Sequence, residues 1–333
     1  MPPGFARRKG DEEMKTLRKA KISSVGAYVP DNIMKNSDFE ALLDTTDEWI
    51  VTRTGIKQRH IVSKENPMTT AYLGSQAARS ALDQAGCTPD DIDAIICATF
   101  SPDAFFPSTA CEIQNLLGCK KAFAFDVSAA CAGFVYGLTL ANNYVCLGQC
   151  DTVLVIGAEV ISKTLDWSDR STCVLFGDGA GAVVVQPSAS EEIGIGESCL
   201  RTDGTLGGIL TLPAWGDDRT IKMKGGEVFK CAVNMMSETS IEVLKKMGIS
   251  GEDLDYLIPH QANSRILYSI ADYISLSKDK VVINLDKYGN TSSASIPLAL
   301  NDIWSEGKIT QGTKVLFTAL GGGIAAGSIF VSF

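Results

Sequence analysis

The chain has 333 residues, of which 45% are hydrophobic and 21% are charged, a composition typical of a soluble globular protein. Its length exceeds the roughly 250–300 residues at which a single hydrophobic core stops growing, so two domains or halves are expected. Its net charge of −9 argues against nucleic acid as a main partner, because binding phosphates requires a basic surface. No apolar run reaches the roughly 20 residues that span a bilayer, which argues against a membrane protein.

Residues 1–20 differ from the rest of the chain because they mix basic and acidic side chains without an apolar stretch. The missing apolar stretch argues against a secretion signal, and the acidic residues argue against a transit peptide. We therefore predict a disordered tail, or a true start at Met14 with added residues before it.

The ten cysteines are scattered, with no CxxC pair and no spacing typical of metal ligands. Together with the missing export signal, this predicts reduced thiols in a cytoplasmic protein that holds no metal. Most of these thiols are expected in the core, because free cysteine is among the most buried residue types.

Parts of the chain resemble each other at one offset of 162 residues. Such repetition indicates an internal duplication, and each half then repeats a scheme of helix, buried strand, turn, helix and buried strand. The matching pairs are 85–96 with 247–258, 152–156 with 314–318, and Ser128 with Asn290. The last pair is followed in both halves by an apolar pattern with helical spacing, over 134–145 and 296–303.

Several apolar runs with little alternation are typical of strands that helices cover on both faces. The expected fold is α/β, with two similar halves packed in layers. The join is predicted near 186–192, where Pro187-Ser188-Ala189-Ser190 has the composition of a linker, so the halves are 21–187 and 188–333. The predicted strands are 94–99, 122–127, 153–157, 183–186, 256–258, 315–318 and 328–333.

Cys131 follows the predicted strand 122–127 and precedes a helix that begins near Ala132. A thiol at a helix N-terminus feels the positive end of the helix dipole, which lowers its pKa. The small residues around Cys131 permit a tight turn and close approach by a ligand. A buried cysteine at a strand–helix junction, without chemistry, would have the same setting, and both interpretations stay open.

His260 and Asn290 are the other candidate reactive residues, both in the second half. His260 ends the predicted strand 256–258, where α/β sheets place ligands, although a core or capping histidine would also suit. Asn290 follows Gly289 and would equally suit a turn or helix cap. The other histidine, His60, is predicted to be structural. A thiol, an imidazole and an amide are together typical of covalent acyl chemistry.

Two glycine-rich segments differ in their expected roles. Gly321-Gly322-Gly323 precedes the last strand and can present backbone N–H groups to a ligand, as an oxyanion hole requires. Gly177-Asp178-Gly179-Ala180-Gly181 precedes a strand and lacks the Lys-Ser/Thr of a phosphate-binding loop, so it is predicted to be structural.

These settings together resemble the β-ketoacyl-acyl-carrier-protein synthase III family, the initiating condensing enzymes of type II fatty-acid synthesis in the thiolase superfamily. The resemblance covers residues 22–333, and its most specific segments are 47–56, the turn around Cys131, 258–263 and 288–297. It implies a thiolase-like fold of two pseudo-duplicated halves in an αβαβα arrangement. It also implies a cytoplasmic homodimer without a tightly bound cofactor.

The reaction that the resemblance implies condenses an acyl-CoA starter, acetyl or short branched, with malonyl-loaded acyl carrier protein. The products are 3-oxoacyl-acyl carrier protein, CoA and CO2. Cys131 is implied as the acylated nucleophile, and His260 and Asn290 as the pair that stabilises the enolate formed by decarboxylation. Backbone N–H groups of Cys131 and Gly323 are implied as the oxyanion hole.

Further residues are implied in substrate binding. Phe106 is implied as an aromatic gate that the dimer partner inserts into the acyl pocket. The residues implied in binding CoA are Thr45, Trp49, Arg53, Arg170, Phe229, Ala262 and Asn263. Those implied in docking the carrier protein, as a local basic patch on an acidic chain, are Lys230, Gln261, Ala262, Asn263, Ser264 and Arg265.

Two departures and three alternatives remain open. Phe105 is a second aromatic beside the gate, which leaves the size of the starter open, and Gly225-Gly226 stands where the family often has a polar residue. A condensing enzyme of secondary metabolism with another starter would keep the same three residues. A non-catalytic protein that binds acyl carrier protein and a papain-like thiol hydrolase are less compatible with the motifs.

Overall fold

The structure, a computed structural model, describes residues 17–333, so most of the predicted tail lies outside the described residues. The tail prediction was wrong at its end, because Lys19 and Ala20 belong to the first strand. Arg18 is also held in place: its Nε donates to Val145 O at 2.9 Å and its guanidinium pairs with Asp151. Whether residues 1–16 form a tail, or Met14 is the true start, stays a prediction.

The strands and helices are numbered here in chain order. The strands are β1 (Lys19–Tyr28), β2 (Ile33–Lys35), β3 (Gln58–His60), β4 (Ala94–Ala98), β5 (Phe123–Val127), β6 (Val153–Glu159), β7 (Gly179–Ser188), β8 (Gly194–Thr202), β9 (Leu210–Thr211), β10 (Lys222–Met223), β11 (Tyr256–Pro259), β12 (Lys314–Gly321) and β13 (Ala325–Ser332). The helices are α1 (Asn36–Glu40), α2 (Asp47–Thr54), α3 (Thr70–Ala85), α4 (Thr109–Leu117), α5 (Gly133–Cys146), α6 (Gly225–Met247), α7 (Ser264–Tyr273), α8 (Leu285–Tyr288) and α9 (Ser295–Ser305).

Two large sheets and three helical layers alternate, which confirms the predicted αβαβα arrangement. The first sheet has the order β1-β7-β6-β4-β5 and the second β11-β12-β13-β8. Helices α5 and α9 lie between the sheets, where their apolar side chains form one core cluster with both. Helices α3 and α4 cover the outer face of the first sheet, and α6 and α7 that of the second.

The duplication is visible in the strand register. In the first sheet Ala94 of β4 lies opposite Val153 of β6. In the second sheet Tyr256 of β11 lies opposite Val315 of β12, so both positions are displaced by the same 162 residues. The fifth strand, β5, has no full counterpart, because only a single bridge joins Leu257 to Val281.

The join between the halves differs from the predicted linker. Pro187 and Ser188 belong to β7 and pair with Ala20 and Lys19 of β1. Proline lacks a backbone N–H, but it is tolerated at position 187 because β6 pairs with β7 only as far as Val185. Beyond Val185 this side of β7 has no neighbouring strand that needs a donor. The connection between the sheets is therefore residues 189–193, and the division at 187/188 stays a prediction.

The burial of the cysteines and the length and polarity of the helices agree with what the composition predicts. Most of the cysteines are buried and all ten are unpaired. Among residues 17–333 no helix is both long enough and apolar enough to cross a bilayer.

Gly157 of β6 allows the segment before α9 to approach the first sheet. A Cβ at this position would lie 2.2 Å from Ser293 O and 2.6 Å from its carbonyl carbon. We therefore expect Gly157→Ala to lower the free energy of unfolding by about 1–3 kcal/mol, measured by urea denaturation. Gly208→Ala is the control, because its Cβ would meet no atom within 4 Å. Equal stability of the two variants would show that the segment does not depend on this approach.

Candidate active site

Cys131 lies in a tight turn between β5 and α5, within the short 3-10 helix Ala130–Ala132. Ala130 has a φ of 45°, a left-handed conformation that is rare for a residue with a side chain. Gly321 at the end of β12 permits this turn, because a Cβ there would lie 2.7 Å from Cys131 N. The thiol is buried, with Cys131 only 8% exposed.

Burial raises the pKa of Cys131 to about 12, because a thiolate loses its solvation in the interior. The neighbouring Ser292 hydroxyl opposes this effect without overcoming it. The backbone at the helix terminus does lower the pKa of Cys131, as predicted, but burial outweighs this effect and the net direction is upward. A neutral thiol must lose its proton as it attacks, so it needs a proton acceptor nearby.

His260 directly follows β11, and its backbone N–H donates to Thr318 O at 2.8 Å. Its Nδ1 lies 2.8 Å from Ser295 Oγ, and that hydroxyl donates to Ser292 O at 2.7 Å. Since the hydroxyl has only one proton, Nδ1 is the donor in its contact with Ser295 and Nε2 carries the lone pair. Burial lowers the pKa of His260 to about 4, so the ring is neutral near pH 7.

Asn290 is held by its backbone and by one side-chain oxygen. Its N–H donates to Leu175 O at 2.8 Å, and its carbonyl accepts from Gly177 N at 3.0 Å. Its Oδ1 accepts from Ser292 N at 2.9 Å, which orients the Nδ2 group as the donor for a ligand. Asn290 therefore forms the turn considered from the sequence, and its Nδ2 group can still donate to a ligand.

Ser292 lies next to all three predicted residues. Its N–H donates to Asn290 Oδ1 at 2.9 Å, and its carbonyl accepts from Ser295 Oγ, the hydroxyl that lies 2.8 Å from His260 Nδ1. Its own hydroxyl is buried beside the Cys131 thiol and has no hydrogen-bond partner within residues 17–333. Like Ala130, it has a left-handed φ, of 52°, so the surrounding contacts hold it in an unusual conformation. The structure thus brings the thiol, imidazole and amide together around one residue that the sequence had not singled out.

A cavity of about 790 Å³ opens onto the thiol. Cys131 and Gly323 both line it, and the φ of 76° at Gly323 requires glycine. Within residues 17–333, His260 and Asn290 are not among the residues that line the cavity. Both are buried behind its wall, with 3% and 6% of their surface exposed. Apolar wall residues include Phe100, Phe105, Phe176, Leu210 and Ile221.

The residues predicted to bind CoA include a cluster around Trp49. Helix α2 presents this ring, and Thr46 Oγ1 caps the helix by accepting from Trp49 N at 3.1 Å. The Arg53 and Arg170 guanidinium carbons lie 4.7 Å and 4.8 Å from the centre of the ring. Arg170 also donates to the carbonyl of Asp44. The cluster therefore offers an aromatic surface and two cations, a combination that suits a nucleotide with phosphates.

The start of α7 joins this cluster. Asn263 Nδ2 donates to Arg53 O at 2.8 Å, and Arg265 lies over the Phe229 ring at 5.2 Å. Lys230 and Arg265 are exposed, whereas Thr45, Ala262 and Ser264 are partly buried. The predicted CoA-binding and carrier-binding residues thus include one connected basic and aromatic surface.

Gln261 was predicted to contact the carrier protein, and the structure contradicts this. The side chain is fully buried. Its Nε2 donates to Pro259 O at 2.8 Å and to Val282 O at 3.0 Å, and its Oε1 accepts from Asn284 N at 3.0 Å. Gln261 therefore braces the backbone next to His260 and is unavailable to a partner.

The remaining sequence predictions concern exposed aromatics and structural residues. Phe106 is 86% exposed, and its neighbour Phe105 stacks on Trp215 with ring centres 5.1 Å apart. The Nδ1 atom of His60 lies 2.6 Å from Pro30 O, a contact that suits the predicted structural role. In the segment 177–181, a Cβ on Gly177 would lie 2.3 Å from Tyr288 O, so this glycine permits close packing.

Comparisons with known proteins agree with this geometry. The family model of 3-oxoacyl-[acyl-carrier-protein] synthase III matches residues 125–204, and its C-terminal model matches residues 244–333. The β-ketoacyl-[acyl-carrier-protein] synthase III of Aquifex aeolicus is 47% identical over 313 residues, covering 94% of this chain and 99% of its own.

Solved structures are similar over almost the same length. The crystal structure of 3-oxoacyl-[acyl-carrier-protein] synthase III from Aquifex aeolicus has a TM-score of 0.91, with 46% identity over 94% of this chain and 100% of its own. The priming β-ketosynthase from the R1128 polyketide biosynthetic pathway has a TM-score of 0.90, with 34% identity over 95% of this chain and 97% of its own.

Proposed function

The chain belongs to the 3-oxoacyl-[acyl-carrier-protein] synthase III family, and from this premise we propose that Cys131, His260 and Asn290 perform its reaction. The protein is an acyltransferase that condenses an acyl-CoA starter with malonyl-acyl carrier protein and so initiates fatty-acid synthesis. The observation that supports these roles is the position of Ser292, which bonds Asn290 directly, is linked to His260 through Ser295 and lies beside the Cys131 thiol.

In the first half-reaction Cys131 attacks the thioester of the acyl-CoA. The thiol proton moves to Nε2 of His260 during the attack, because burial disfavours a free thiolate at rest. The thioester bond to CoA breaks, and the CoA thiolate takes the proton from His260. The product is an acyl group on Cys131 beside a His260 that is neutral again.

In the second half-reaction malonyl-acyl carrier protein loses CO2 and leaves an enolate. When the Ser295 hydroxyl turns to donate to Nδ1, the neutral His260 ring carries its proton on Nε2, and this Nε2–H and Nδ2 of Asn290 donate hydrogen bonds to the developing oxyanion. The enolate attacks the acyl thioester and releases the Cys131 thiolate, which takes a proton from water. The backbone N–H groups of Cys131 and Gly323 stabilise the oxyanion formed at the acyl carbon, and Gly321 leaves room beside Cys131 N.

The surface around Trp49 binds the CoA nucleotide. The adenine stacks on the Trp49 ring, and Arg53 and Arg170 neutralise phosphates. Both guanidinium groups lie over the Trp49 ring, so at least one of them must move aside for the base to stack there. Phe229, Thr45, Ala262 and Asn263 then flank the pantetheine arm.

The acidic carrier protein docks on the exposed cations Lys230 and Arg265, with Ala262, Asn263 and Ser264 at the edge of the contact. Gln261 has no part in it. We also propose a homodimer in which Phe106 of each subunit reaches the acyl pocket of the other, since this aromatic is 86% exposed beside the cavity wall. Location in the cytoplasm stays a prediction.

The experiment that tests this function is a condensation assay with malonyl-acyl carrier protein and a panel of acyl-CoA starters. We expect a 3-oxoacyl-acyl carrier protein product, detected by mass, with acetyl or short branched starters. A preference for long or aromatic starters would instead favour the role in secondary metabolism. No product with any starter would contradict the proposal.

A further inference from the structure

Glu159, the last residue of β6, is a fully buried carboxylate that the steps above do not use. Its Oε2 accepts from Ser101 Oγ at 2.5 Å, Thr99 Oγ1 at 3.0 Å and Ser101 N at 3.1 Å. Within residues 17–333 it forms no ion pair, so hydrogen bonds alone compensate its burial. The segment that it holds, residues 99–101, forms part of the cavity wall next to Cys131.

The other oxygen of this carboxylate contacts the segment that carries Asn290. Glu159 Oε1 lies 2.8 Å from Ser293 Oγ, and Ser293 Oγ lies equally close to Ala98 O. Two residues earlier on the same strand, Gly157 accommodates the Ser293 carbonyl. The end of β6 therefore holds both the backbone and the side chain of Ser293.

The duplication explains why this contact matters. At the offset of 162 residues, Ser293 is the counterpart of Cys131, and Gly321 is the counterpart of Glu159. Beside Cys131 the position is glycine, because the backbone of the Cys131 turn occupies the space that a Cβ would need. Beside Ser293 the same position is a glutamate that binds the hydroxyl.

We propose that Glu159 is a positioning residue for the condensation: through Ser293 it holds Ser292 against Cys131, His260 and Asn290. This inference rests on the proposed function. Burial raises the pKa of Glu159 to about 7, so both protonation states are accessible. The protonated form donates from Oε1 to Ser293 Oγ, whose own proton then turns to Ala98 O, and the contact persists. A glutamine amide can do the same, whereas alanine cannot.

The test compares Ser293→Ala, Glu159→Ala, the double variant and Glu159→Gln with the wild type. In the condensation assay we expect Ser293→Ala and Glu159→Ala to lower kcat by about 10- to 100-fold, with KM for malonyl-acyl carrier protein changed little. The double variant should be no worse than Glu159→Ala, because both changes break one connection. Glu159→Gln should retain kcat within a few-fold of the wild type.

Ser24→Ala is the matched control. Ser24 is equally buried and its hydroxyl donates to Ala81 O at 2.7 Å, away from the cavity, so kcat should not change. Multiplied losses in the double variant, a glutamine variant as impaired as alanine, or an equal loss in Ser24→Ala would each overturn the proposal. If Glu159→Ala does not fold, the comparison of Ser293→Ala and Glu159→Gln with the wild type still tests the proposal.

A second readout separates this inference from the proposed function. The rate at which iodoacetamide alkylates Cys131 needs no substrate, so it can be measured even if the wild type shows no condensation. We expect slower alkylation in Ser293→Ala than in the wild type and Ser24→Ala, because Ser292 no longer supports the developing thiolate. An unchanged rate would contradict the positioning role, whatever the wild type's activity.

Discussion

We expect Cys131→Ala to form no acyl adduct when it is mixed with acyl-CoA, whereas the wild-type chain should gain the mass of one acyl group. The expectation follows from the cavity, which opens onto this thiol. The measurement is intact-protein mass after mixing with acetyl-, branched and longer acyl-CoAs. Loss of a catalytic nucleophile is also expected to lower kcat for condensation by on the order of 10⁶-fold, as in hydrolase triads.

Cys111→Ala is the control, because Cys111 is the exposed cysteine among the ten. It should still be acylated, since the reaction depends on the environment of Cys131 and not on accessibility alone. An adduct that persists in Cys131→Ala, or that disappears in Cys111→Ala, would contradict the assignment of the nucleophile. An adduct in neither the wild type nor any variant would favour a non-catalytic protein that binds acyl carrier protein.

The buried strands could be predicted because helices cover them on both faces. β4, β6, β11 and β12 are mostly apolar, and their common offset revealed the duplication. The strands β1 and β8 were missed because they lie at sheet edges and mix polar with apolar residues. Sequence periodicity detects a covered strand more easily than an edge strand.

The site could be predicted only in part, because burial and long-range contacts do not appear in a local motif. Cys131, His260 and Asn290 were found from their settings, but the direction of the thiol pKa was wrong since the depth of burial outweighs the helix terminus. Gln261 looked exposed beside His260 and is fully buried. Glu159 is 134 residues from Ser293, and no motif connects them.

Asn290→Ala separates the two half-reactions. Acyl transfer to Cys131 requires the thiol and a proton acceptor, and the structure gives Asn290 no part in either. Decarboxylation requires donors for the enolate oxygen, and Asn290 Nδ2, oriented by the bond from Ser292 N to Oδ1, is one of the two that we propose. We therefore expect acylation at nearly the wild-type rate, measured by intact mass over time. We expect condensation to fall by about 10²–10³-fold, the scale for loss of one oxyanion donor.

Asn290→Asp is the matched variant that separates chemistry from folding. Aspartate keeps the oxygen that accepts from Ser292 N, so the turn is preserved, but it cannot donate to an enolate and adds a negative charge beside it. We expect the same split, with acylation retained and condensation lost. If both variants blocked acylation as strongly as condensation, Asn290 would act mainly by holding Ser292 against the thiol. The division of roles among the three residues would then be wrong.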